Sequence, residues 1–176
     1  MTDDFNEAVA KTLKNEGGLS FDKDDPGGIT NFGISFKFLK ANKIDINDDG
    51  LVNGKDIQDM TIDEAKALYK QDFWNKYKIG LIGQRIIADK VFDLSVNVGG
   101  AVAIKLLQRA INMHLKTPIA VDGMIGLHTL KSIAEVGAAQ VLLGIKDCAI
   151  QYYQDLVKKN PHLEKYLAGW TLRALQ

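Results

Sequence analysis

The sequence has a single cysteine, Cys148, so no internal disulfide can form, and folding in a reducing compartment is expected. Cys148 stands among Ile145, Ala149 and Ile150 and reads as a core residue. No apolar run approaches the roughly 20 residues that span a bilayer, which argues against stable membrane insertion. Neither sign of charge prevails. The 22 basic and 22 acidic side chains cancel without a run of either, so bulk capture of nucleic acid is not encoded. The start, Met1-Thr2-Asp3-Asp4-Phe5, is acidic where an export signal needs a basic residue and an apolar stretch, which predicts cytoplasmic synthesis without a standard signal. Only His114, His128 and His162 are present, with no zinc spacing, and no glycine signature for a nucleotide follows a strand pattern. No cofactor for catalysis is therefore expected.

What is present reads as a folded chain of 46% apolar and 25% charged residues, long enough for one compact domain with two lobes. Phe5, Ala8, Val9, Thr12, Leu13 and Glu16 recur at helical spacing behind Asp3 and Asp4, and Gly17-Gly18 ends that helix. From there to Ile34 the text is Gly, Asp, Pro and Asn without a helical period, a segment of loop or short hairpin. Ser35 opens a short helix. Thr61 to Glu64 has capping-box form ahead of Ala65, Leu68, Tyr69 and Phe73. Helices are predicted over 86–98, 101–114, 127–136, 138–158 and 163–174, broken by Gly99-Gly100, Gly137 and Pro161, with 86–98 apolar enough to be central. The total is seven or eight helices and little strand, an all-α class.

Glu16 closes the first helix and is followed within fifteen residues by Asp22, Asp24, Asp25, Thr30 and Asn31. Glycosidic cleavage needs one carboxylic acid to protonate the leaving oxygen and a second group to stabilise charge on the sugar or activate water. An acid at a helix end against an apolar wall is held protonated more readily than an aspartate in a wet loop. Spacing alone, however, favours a solvated helix end and turn.

Motif order adds to this. Glu16-Gly17-Gly18, Asp25-Pro26-Gly27-Gly28, Thr30-Asn31 and Gly33-Ile34 resemble the opening of glycoside hydrolase family 108, the N-acetylmuramidases of bacteria and phages. Asp72-Phe73-Trp74, Phe92 to Gly99, Leu107 to Ala110, Asp122 to Gly126, Gly169-Trp170 and Arg173 resemble its later pattern, including a peptidoglycan-binding region. The resemblance implies a lysozyme-like helical fold with a small loop or hairpin lobe after the first helix. It divides the chain into a catalytic lobe over 1–90 and a peptidoglycan-binding-like region over 91–176. It makes Glu16 the catalytic acid, and by analogy with phage-type lysozymes Asp25 stabilises charge and Thr30 positions water. Asp22 competes for the second carboxylate, or joins Asn31, Trp74 and Asn97 as a substrate-binding residue; Tyr77 is a further stacking candidate. Leu19 replaces the aromatic residue more frequent in the family.

Asp45, Asn47, Asp49, Leu51 and Asp56 occupy positions 1, 3, 5, 7 and 12 of an EF-hand-spaced loop, with Gly50 at position 6. Carboxylate, amide and carbonyl oxygens so placed suit a hard cation, and a structural calcium ion pinning this insertion is expected. A solvated Asp/Asn/Gly turn is the alternative.

These features together predict a peptidoglycan hydrolase cleaving the bond between N-acetylmuramic acid and N-acetylglucosamine. A phage or prophage endolysin, monomeric, made in the cytoplasm and reaching the wall through a holin or another release system, fits best. The competing functions are a lytic transglycosylase and a catalytically silent wall-binding module.

Overall fold

The structure, a computed structural model, describes residues 2–16, 18–21 and 28–176. It comprises two compact units, Met1–Trp74 and Asn75–Gln176. The class is all-α with one small sheet, as the sequence implies. The described residues hold nine α-helices, because the insertion ends in a short helix of its own. None of them is long and apolar enough to cross a membrane.

In the first unit, α1 (Thr2–Glu16) buries Phe5, Ala8, Val9 and Thr12, the stripe read from their spacing. Asp4 falls in its first turn, where acids are favoured. Three strands, β1 (Ser20–Phe21), β2 (Ile29–Asn31) and β3 (Ile34–Ser35), form an antiparallel sheet in that order. Thr30 stands opposite both Ser20 and Ser35.

The short helix α2 (Phe36–Asn42) is capped by Ser35, whose Oγ accepts from the Phe38 amide. After the insertion loop come α3 (Gly54–Asp59) and α4 (Ile62–Leu68). The capping box at α4 forms as predicted, the Glu64 carboxylate accepting from the Thr61 amide at 2.7 Å. A π-helical turn, Tyr69–Asn75, follows. Its rings fill this unit's core: Trp74 meets Phe5 edge-on, and Phe73 lies against Phe38 and Tyr69.

The second unit contains α5 (Arg85–Val98), α6 (Gly100–Asn112), α7 (Leu127–Val136), α8 (Ala138–Lys159) and α9 (Glu164–Leu175). Gly99 and Gly137 break the helices at φ of 89° and 92°, where a side chain would be strained. Both α5 and α6 are central. The latter packs on α5, α7 and α8, while α8 also covers α9. Gln108, buried on α6, organises the long connection to α7: its Nε2 donates to Asp122 at 2.7 Å and to the Met124 carbonyl at 3.0 Å, and its Oε1 accepts from the Gly123 amide. The Gln108 bond, joined by one from the Met124 amide at 2.9 Å, draws the Asp122 carboxyl below the ordinary range. Cys148, expected in the core, is half-buried, its Sγ 4.0 Å from the Met113 sulfur; burial raises its pKa and so keeps it a thiol.

The last helix is tied to α5 by charge. Arg173 donates to both carboxylate oxygens of Asp93, at 2.9 and 3.1 Å, with both side chains mostly buried. This forked geometry is the strong form of such a pair. Lys90, 6% exposed, donates to the Arg173 carbonyl at 2.7 Å. Burial lowers the Lys90 pKa to about 8, Asp93 opposing and Lys146 and Arg173 adding to the shift. Above that value the folded state has released a proton that the unfolded chain still holds, so Lys90 makes stability rise with pH between about 8 and its ordinary value. Denaturant unfolding across this range should show wild type gaining roughly 2–4 kcal/mol over Lys90→Met. Parallel curves for the two proteins would contradict this.

Candidate active site

The sequence-predicted catalytic residues belong to α1 and the segment after it. Glu16 is the last residue of α1. Its side chain, together with Asp22 and Asp25, lies outside the described residues. Thr30 is described, at the middle of β2, and is half-buried.

Side chains alternate across a strand, so the orientation of β2 follows from its flanking residues. Ile29 approaches α3: a Cβ added at Gly54 would stand 3.8 Å from its Cδ1. Asn31, 6% exposed, also faces α3, its Nδ2 donating to the Ile57 carbonyl at 2.9 Å and to the Met60 carbonyl at 3.5 Å. Thr30 therefore points from the opposite face. Beyond Asn31 the chain turns through Phe32 at φ 50°, and the Phe32 carbonyl accepts from the buried Tyr69 hydroxyl at 2.7 Å. A non-glycine residue in that conformation is held by its surroundings.

Two of the expected substrate-binding residues are engaged within the fold. Asn31, read as a sugar ligand, has its amide nitrogen directed to the carbonyls at the end of α3. Trp74, read as a stacking surface, is buried with its ring against Phe5. Asn97 is half-buried at the end of α5, and its Oδ1 accepts from the Tyr153 hydroxyl at 2.7 Å. Its Nδ2 has no partner among the described residues and is available as a donor. Tyr77 lies so close over Gly100 that a methyl group there would overlap its ring. Sequence reading missed Tyr69 and Tyr153 as holders of Phe32 and Asn97. Each partner is tens of residues away, and both tyrosines sit at ordinary apolar positions of their helices.

The insertion loop is ordered by its own acidic side chains. Asp45 Oδ2 accepts from the Gly50 amide at 2.7 Å, Asn47 Oδ1 from Asp49 at 3.1 Å and Asp49 Oδ1 from Leu51 at 2.8 Å. Asp48 and Gly50 take positive φ of 55° and 84°. The Asp45 Oδ1 is enclosed and has no hydrogen-bond partner among the described residues, a costly condition for a carboxylate oxygen. Asp56, fully buried, points elsewhere than expected of a ligand: its two oxygens accept from the amides of Ile46 at 2.8 Å and Asn53 at 2.7 Å. Burial pushes its pKa up, but backbone donors at Asn53, Ile46 and Asn47 outweigh this and leave it low. No group of three or more His, Cys, Asp and Glu side chains gathers as a metal site among the described residues. Any cation here would rest on mixed donors, Asp45, Asn47, Asp49 and the Leu51 carbonyl.

A family profile described as glycosyl hydrolase 108 matches residues 9–99, more than half of the chain, and one described as a predicted peptidoglycan domain matches 102–175. Among solved structures, one titled "Structure of Brucella abortus SagA" is similar, with a TM-score of 0.81 and 24% identity over 99% of this chain and 91% of that chain. At this identity the likeness concerns the fold alone. No curated protein matches.

Proposed function

Because the chain belongs to the glycosyl hydrolase 108 family, and is thereby a peptidoglycan hydrolase of the N-acetylmuramidase type, we propose that Glu16, Asp25 and Thr30 carry its reaction. Glu16 protonates the glycosidic oxygen as the bond to N-acetylmuramic acid breaks. Asp25 stabilises the positive charge that develops on the sugar, and Thr30 holds the water that completes hydrolysis. Asp22 is the reserve for the second carboxylate. The orientation of β2 is the observation that supports this reading: two of its residues are committed to α3, which leaves Thr30 on the other face. The closing turn of α1, where backbone carbonyls concentrate partial negative charge, suits an acid that must stay protonated. Asn97 offers its amide to an N-acetyl carbonyl, with Tyr153 fixing the plane of that amide. A phage or prophage endolysin delivered to the wall by a holin is the biological setting proposed.

Hydrolysis and transglycosylation leave different ends on the glycan. Mass spectrometry of products from purified peptidoglycan should show reducing N-acetylmuramic acid ends. Anhydro ends would make the protein a transglycosylase, and intact glycan a binding module.

The insertion loop is proposed as a calcium site. The enclosed, unpartnered Asp45 Oδ1 supports it, since a cation supplies the missing counter-charge. Asn47, Asp49 and the Leu51 carbonyl complete the donor set, and Asp56 clasps the loop through backbone amides rather than meeting the ion. Calorimetric titration with calcium chloride should show one ion per chain, lost in Asp45→Ala. Absence of binding heat in wild type, with an unchanged melting temperature, would remove the ion from the account.

A further inference from the structure

The loop and the strand that carries Thr30 are joined by a short chain of bonds inside the first unit. The loop runs without a break into α3, with Asn53 as N-cap, its side chain accepting from the Lys55 amide at 2.8 Å. Asp56, in the first turn of that helix, reaches back to the amides of Ile46 and Asn53, so the carboxylate that anchors α3 also ties together both ends of the loop. Ile57, the next residue, is fully buried, and its carbonyl is the closer acceptor of the Asn31 amide. Met60, one residue past α3, supplies the second. Ile29 lies against Gly54 at the start of the same helix.

A six-residue helix has too few internal bonds to be stable alone, so its position depends on what holds its two ends. One end is the loop; the other is Asn31. We infer that a divalent cation in the loop governs catalysis from a distance, by fixing α3 and, through Asn31, the face of β2 that presents Thr30. This rests on the reading of the loop as a calcium site. With the ion bound, Asp45 Oδ1 is satisfied and the loop takes one conformation. Without it, an enclosed anionic oxygen lacks a partner, and the loop gains by opening towards water. Opening releases Ile46 and Asn53 from Asp56, and α3 and β2 loosen with them. A ligand shifts such an equilibrium only as far as it prefers one state, and the preference here comes from that oxygen. Calcium modules of extracellular proteins bind at about 10⁻⁴–10⁻³ M. A loop tuned to that range would leave the enzyme loose where calcium is scarce and taut where it is plentiful.

Hydrogen–deuterium exchange on the intact protein, with about 1 mM calcium chloride or with chelator, tests this directly. The expected result is slower exchange in peptides covering 29–35 and 54–60 as well as the loop, with peptidoglycan cleavage several-fold faster in calcium. In Asn31→Ala the loop should still bind calcium while 29–35 no longer responds to it. If that variant does not fold, Asp45→Ala serves, and its exchange over 29–35 should be the same with and without calcium. Calcium binding with protection confined to 44–56 would overturn the coupling and leave the site. No binding heat at all would remove both.

Discussion

One buried amide holds together the part of the molecule proposed to do chemistry. Asn31 sits on a three-residue strand, too short for its ladder bonds alone to fix it, and it crosses 26 residues of sequence to reach the carbonyl of Ile57. The bond replaces water at a backbone carbonyl inside the protein, so removing its donor would leave a buried acceptor unsatisfied, typically at about 1–3 kcal/mol. The alternation of the strand turns this anchor into an orientation. With Ile29 and Asn31 committed to α3, Thr30 has one direction left. Tyr69 secures the same chain one residue on, through the Phe32 carbonyl. The strand thereby becomes a defined platform.

The second unit is organised by the same device at other positions. Asp93 and Arg173 are 80 residues apart and form a forked pair that ties α9 to α5. Gln108 binds Asp122, Gly123 and Met124, and so closes the connection before α7. These residues belong to the motifs through which the sequence resembles its family. Their observed work is architectural: a polar side chain on one helix satisfies backbone or charge on a distant element.

Much of this was legible in the residues, and the boundary of legibility is physical. Helix limits followed from local chemistry: Ser35 and Thr61 as caps, Gly99 and Gly137 at positive φ, and the stripe of Phe5, Ala8 and Val9. The positions of Glu16 at a helix end and of Thr30 in the segment that follows were likewise visible. Long-range partners were not. Asn31 and Thr30 look alike in the sequence, two polar residues side by side, and only the position of α3 separates an anchor from a presented hydroxyl. Asp56 stood at a ligand position by spacing, yet the local geometry of Ile46 and Asn53 captured both of its oxygens. Trp74 carried the surface chemistry of a sugar platform, but apolar area of that size is more favourably buried against Phe5.

The central claim is that Glu16 is the acid on which cleavage depends. The most direct measurement is the rate at which folded Glu16→Gln clears a suspension of purified peptidoglycan, compared with wild type at equal thermal midpoint. A positioned general acid contributes about 10²–10⁴-fold, so the variant should lose at least that range's lower limit while its melting temperature stays within a few degrees. Clearance within about tenfold of wild type by a folded variant would contradict the account and move the acid to another residue.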